Sequence, residues 1–246
     1  MQKILFLLLF VSTLNSFAQY DDKWKEVYQY ELDGKIKSAQ EEVEEIYKKA
    51  KRKKEEVQII KCFFYLSKFE QVFDEKAQTT IIHNIQKEIN EAKPVSKALL
   101  HYIYINILEE YYNRNRYTIK KRTNLENQKN TDFLTWTEDD FKAQIEKNYN
   151  QLLLNENDLR SVNLDKFKDI FDISPSVDDK NYSIYEFLSQ KSCNYYKSRI
   201  VSWRLKKSTD FENDIKIFYT NPNSFVNFDS KKLEDENLRK LISIFR

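Results

Sequence analysis

The stretch LDGKIKSAQEEVEEIYKKAKRKKEEVQIIKCFFYLSKF, residues 32–69, holds the only glycine of a 246-residue chain, and its reading decides the fold. After Gly34, the residues Ile36, Ala39, Val43, Ile46, Tyr47 and Ala50 recur at steps of mostly three and four, which predicts a helix over 35–52 with one buried face. A run richer in apolar residues follows, from Val57 through Ile59, Ile60, Phe63, Phe64, Leu66 and Phe69 to Phe73, and predicts a helix over 55–73. Upstream, Trp24, Val27, Tyr28 and Leu32 mark a helix over 22–32. It stops at Asp33-Gly34, because glycine accepts the left-handed conformation that ends a helix. Helices joined by so few residues run antiparallel, so the region reads as helical hairpins.

The pattern continues outward. Ile81, Ile82, Ile85 and Ile89 form one stripe of a fourth helix, and a fifth opens after Pro94 with Ala98, Leu99, Tyr102, Ile103, Ile105, Ile107 and Leu108 and reaches Tyr111. The polar stretch between Asn115 and Thr135 predicts a long surface loop. Thr137, with Asp140 three residues on, is an approximate capping box for a helix through Phe141, Ile145, Tyr149 and Leu152. A short helix is predicted over 164–171, a turn-rich patch over 173–181, and a helix capped by Ser183 that carries Ile184, Phe187, Leu188 and Tyr195. Beyond Ser208, DIKIFY (214–219) fits a short strand or a helix end, NPNS (221–224) a turn, and KKLEDENLRKLISIF (231–245) a last amphipathic helix. The fold class is therefore all-α: stacked antiparallel helical hairpins, as a tetratricopeptide-like solenoid or an irregular helical bundle. Gly34, Ile36, Ala39, Val43 and Ile46 match the second half of one tetratricopeptide unit, with small Ala39 where two helices approach closely.

The amino terminus, MQKILFLLLFVSTLNSFAQ, sets Lys3 before an apolar run from Ile4 to Val11 and places Ser16 and Ala18 at the small positions of a cleavage site. This layout predicts a cleavable signal peptide over 1–18, since an uncleaved span needs about 20 apolar residues. Export then leads to the periplasm, the cell envelope or the medium. A helical domain over 22–205 and a C-terminal segment over 206–246 follow. The net charge of +2 favours neither a polyanion partner nor an acidic tail, and 15% aromatic residues imply a core built on Tyr and Phe.

Little catalytic chemistry is visible. One glycine leaves no material for a nucleophile elbow, a phosphate-cradling loop or a dinucleotide-binding turn. His83 and His101 lie on different predicted helices without a second ligand nearby, so no metal or other cofactor is expected. Cys62 and Cys193 sit in apolar, helix-like surroundings that suit inert buried thiols, with a single disulfide as the alternative. The paired carboxylates, among them Glu41 and Glu42, Glu44 and Glu45, Glu109 and Glu110, Asp139 and Asp140, read as solvated faces. Glu44 with Lys48 and Glu45 with Lys49 have salt-bridge spacing. The basic runs Lys48–Lys54 and Arg116–Arg122 also read as solvated faces, and no nucleic-acid partner is expected. A Tyr- and Arg-rich surface is the composition of interface hot spots, which makes Tyr111, Tyr112, Arg116 and Tyr117 the candidate protein-interface residues.

Several segments, WKEVYQYELDGKIKSAQEEVEEIYKKAKRKKEEVQIIKCFFYLSKF, SKALLHYIYINILEEYYNRNRYTIKKRT, LTWT, LDKFKDIF and YSIYEFL, give the chain a likeness to a known family. It resembles the helical amino-terminal region of large exported bacterial alpha-2-macroglobulin-like proteins. The resemblance implies a non-enzymatic scaffold or docking module, with protein partners or downstream macroglobulin domains as its contacts. Neither cysteine lies in the thioester motif of that family, since Cys62 precedes Phe63 and Cys193 precedes Asn194, so no trapping chemistry carries over. The sequence is then a fragment, a shortened copy or a stand-alone module. The alternative is a tetratricopeptide-like adaptor that binds peptides or protein partners in a groove.

Overall fold

The computed structural model of the protein describes residues 20–69, 75–122, 132–171, 182–200, 222–233 and 235–246. The signal-peptide segment 1–18, the patch 173–181 and DIKIFY (214–219) lie outside the described residues. Described residues form helices α1 (20–32), α2 (Ile36–Lys53), α3 (Glu56–Phe69), α4 (Glu75–Glu91), α5 (Pro94–Ile119), α6 (Glu138–Tyr149), α7 (Glu156–Arg160), α8 (Ile184–Arg199), α9 (Pro222–Asn227) and α10 (Glu236–Phe245), with short 3-10 turns at Phe133–Thr135, Leu164–Phe167 and Ser230–Lys232. The molecule is all-α.

The first two connections are the same device built from different residues. After α1, Gly34 adopts φ 70°, the Lys35 N–H donates to the Tyr30 carbonyl (2.8 Å) and the Gly34 N–H to that of Glu31 (3.0 Å). After α2, Lys54 takes φ 58°, the Glu55 N–H donates to the Ala50 carbonyl (3.0 Å) and the Lys54 N–H to that of Lys51 (3.2 Å). Both are Schellman turns, which satisfy the orphan carbonyls of the helix end and reverse the chain. Only the first carries glycine, so the second accepts the Cβ crowding of a left-handed lysine.

Cross-links between elements fix their directions. Lys51 near the end of α2 pairs with Glu88 (2.6 Å) and Glu91 (2.8 Å) near the end of α4. Glu56 at the start of α3 accepts from Lys93 (2.8 Å) and from the Ser96 hydroxyl (2.7 Å) at the start of α5. Lys68 of α3 pairs with Glu31 of α1, while the Trp24 indole N–H donates to Gln58 at 2.8 Å. Thus α1, α3 and α5 run one way, and α2 and α4 the other. His101 Nδ1 lies 2.6 Å from Asn148 Oδ1 and the Tyr112 ring 5.9 Å from that of Phe141, so α6 is antiparallel to α5. The Tyr102 ring meets Phe187 at 5.5 Å, and Glu109 lies in the field of Arg199, which sets α8 parallel to α5.

Each helix buries the face its sequence marks. Ala39, Val43, Ile46 and Ala50 of α2 are fully buried, as are Ile60 and Cys62 of α3, and the Ile81, Ile82, Ile85 and Ile89 stripe of α4 points inward. An aromatic seam links the layers: Trp24 to Tyr65 (5.0 Å), Tyr47 to Phe63 (5.3 Å) and Tyr111 to Phe133 (5.0 Å). The capping boxes at Thr137 with Asp140 and at Ser183 with Glu186 both form, with reciprocal side-chain and backbone bonds.

Four expectations are corrected. The loop predicted from Asn115 begins later, because α5 continues to Ile119, whose full burial anchors the last turn. The helix predicted over 164–171 is a 3-10 turn at Leu164–Phe167 followed by turns. Pro222–Ser224 of NPNS belong to helix α9, since a proline at the first helical position has its φ already set. Lys48, at i+3, takes Glu45 (2.8 Å), which leaves Lys49 over the Tyr20 ring at 4.8 Å. At the C-terminal end, Lys240 of α10 bonds Glu146 of α6 (2.7 Å) and lies over Tyr196 of α8 (5.5 Å), so this segment docks on the hairpin stack.

Candidate protein-docking surface

Helix α5 is the spine of the molecule, and the four candidate residues fall near its exposed end. Tyr111 is not on the surface: it is 5% exposed, stacked on Phe141 (5.7 Å, 19°) and edge-on to Phe133. Helical spacing explains this, because Tyr111 continues the buried stripe of Leu100, Tyr104 and Leu108, in which the Tyr104 hydroxyl accepts from Gln86 of α4 (2.7 Å). Tyr112 is half-buried, while Arg116 and Tyr117 are exposed, Tyr117 by 77%. The structure therefore brings Tyr112, Arg116 and Tyr117 to one end of α5 and assigns Tyr111 to the core.

The local electrostatics are uneven. Burial, and then the neighbouring Glu138 carboxylate, push the Tyr112 hydroxyl above its usual range, so it stays a neutral donor. Glu138 is held below the usual carboxylate range by Lys142 (2.7 Å) and then by Tyr112. Arg122 donates to the Trp136 carbonyl at 2.7 Å, fixing the start of the next segment against the end of α5. A shallow polar depression of about 300 Å³ lies here, lined by Lys120, Arg122, Thr137, Glu138, Asp139 and Lys142. Lys121 sits 3.9 Å above the Tyr117 ring, a cation–π contact on an exposed aromatic. Arg114, Arg116 and Lys120 make no ion pair with the described residues, whereas Lys51, Lys93, Lys142 and Lys240 do.

The opposite situation holds on the side of α3 and α5 that carries Phe64 and Tyr102. The segment 159–171 lies across it: Phe171 meets Phe64 (6.0 Å), Tyr102 (6.1 Å) and Phe187 (5.0 Å), and Leu159, Leu164, Phe167 and Ile170 are buried. The stretch LDKFKDIF, with apolar residues at 164, 167, 170 and 171, is the signal for this strap. A cleft of about 430 Å³ beside it is lined by Tyr20, Lys54, Glu55, Glu56, Lys93 and Lys166 among others. Its two carboxylates offset two of its three lysines, and Lys93 is already paired with Glu56.

His83 is exposed; the Asn148 amide donates to the Gln144 carbonyl (2.7 Å), which turns its oxygen to His101 and makes Nδ1 of that imidazole the donor. Burial pushes the Cys62 thiol far up, and that of Cys193 up, so neither is a ready thiolate; both are free. Among the described residues no group of three or more His, Cys, Asp and Glu converges as a metal site, and no helix is long and apolar enough to cross a membrane. Compared with family models, with characterised proteins and with solved structures, the chain matches none.

Proposed function

We propose that this protein is a non-enzymatic helical docking module of the cell envelope that engages protein partners through the exposed end of α5. The observation that carries the reading is the contrast between a strapped aromatic side and an open Tyr112–Arg116–Tyr117 end. A groove-binding adaptor needs a free apolar channel between its helices, and here Phe171 fills the space between Phe64, Tyr102 and Phe187. A module that docks through a rigid outer face needs an exposed aromatic flanked by arginine on a well-anchored helix, and Tyr117 beside Arg116 is that. The signal-like amino terminus supports export to the envelope. The likeness of the helical segments to the leading region of exported alpha-2-macroglobulin-like proteins supports a scaffold role next to larger partners.

A photo-crosslinking amino acid placed at position 117 tests this in the source cells, with the same group at exposed Leu154 as control. The reading expects a discrete protein adduct from position 117 and none from 154. Equal labelling from both, or none from either, sinks it.

A further inference from the structure

We infer that the end of α5 is built to take an acidic peptide segment of a partner protein; this rests on the docking reading above and adds the chemistry of what docks. Residues 113–122, NRNRYTIKKR, contain five cations and no carboxylate. Their average is not that of the molecule, whose net charge is only +2. Arg122 is committed to the Trp136 carbonyl and Lys121 lies over Tyr117, which leaves Arg114, Arg116 and Lys120 presented to solvent without an ion pair to the described residues. Cations in a last helical turn complement the helix dipole, and this accounts for Arg116, with Lys120 at the cap just beyond it. It does not account for Arg114, more than a turn before the helix end, nor for a tyrosine 77% exposed among the charges.

The size and border of the patch select the partner. At about 1.5 Å per residue the helical part spans roughly 10 Å, the length of three or four extended peptide residues. Glu110 closes it one turn earlier, and Glu138 and Asp139 close it on the side of α6. A duplex nucleic acid presents a long double track of phosphates and would meet these carboxylates, while a short acidic segment fits between them. Arg116 and Lys120 stand one turn apart on the same side of the helix, where the arginine fork suits bidentate carboxylate recognition, and the Tyr117 ring beside them offers an apolar plate for a neighbouring side chain.

The test uses the full chain and fluorescence anisotropy with a labelled peptide of alternating glutamate and leucine. Binding is expected at low salt, weakening by about tenfold as salt is raised toward physiological strength and beyond. It should be lost in the Arg116→Glu/Lys120→Glu variant and weakened roughly threefold to tenfold in Tyr117→Ala. The same peptide with glutamine in place of glutamate should not bind. Circular dichroism on each variant separates lost contact from lost fold. Absence of binding to the glutamate peptide, equal binding by the charge-reversal variant, or tighter binding of a short DNA duplex or phosphatidylserine vesicles through the same residues overturns the inference. If the crosslink at position 117 still forms while the glutamate peptide fails, the acidic partner falls and the docking reading stands.

Discussion

The two halves of α5 share one rod and have opposite surroundings. From Ser96 to Leu108 the helix buries Ala98, Leu99, Leu100, Ile103, Tyr104, Ile105, Ile107 and Leu108, residues that cover nearly every direction around the axis. From Tyr111 to Ile119 only those two end residues are buried, and the rest of the surface is polar or cationic. A helix that is apolar all round has to be enclosed by neighbours, and α3, α4, α6, α7 and α8 supply them. The second half is held by one stripe and is free to present the remainder. Rigidity is made in the first half and displayed in the second.

The largest effect should come from opening the enclosed half. Leu99→Ala removes a fully buried side chain and is expected to cost about 2–5 kcal/mol, read from the chemical-denaturation midpoint. A loss within experimental scatter would mean that the first half is not enclosed. An intermediate effect belongs to His101, where burial and then the charges of Lys97 and Lys147 depress the imidazole below its usual value, against the opposing bond to Asn148. Below about pH 6.5 the unfolded chain takes a proton that the folded chain refuses, so this group's stability is lost on acidification, at no more than about 1.4 kcal/mol per pH unit. Half-buried Glu109 titrates with the opposite sign, since burial raises it and protonation on acidification favours the fold. His101→Gln, which keeps a donor toward Asn148, isolates the histidine: its thermal midpoint should fall less steeply from pH 6.5 downward than that of the parent, and equal slopes would refute the assignment. The smallest effect is expected in the displayed half, where Tyr117→Ala should change stability by no more than about 0.5 kcal/mol. A larger loss would make Tyr117 a structural residue and remove it from the docking surface.

Much of this contrast is legible in the sequence. The three-and-four spacing of Ile36, Ala39, Val43 and Ile46 sets the face of α2, and Thr137 with Asp140, and Ser183, mark helix starts that the structure places there. Gly34 announces the first turn by its residue type, but the second uses Lys54, which carries no such mark. The end of α5 is hidden because its anchor is a single residue, Ile119, inside a run otherwise polar enough to read as loop. Of the candidate surface, Tyr112, Arg116 and Tyr117 are placed by composition alone. Tyr111 differs from Tyr112 by one step of about 100° around the axis; both rings lie against Phe141, and the added contact with Phe133, distant in sequence, is what distinguishes the buried one.

The strap has a consequence for how the chain comes to be folded. Phe171 touches Phe64, Tyr102 and Phe187, so its seat is complete only when α3, α5 and α8 are all in place. Synthesis proceeds from the amino terminus, so the early hairpins emerge and pack while their aromatic side is still bare. Until α8 arrives, that side stays open to the nascent chain's neighbours, so closing it is a late step in building the molecule, followed by the docking of α10.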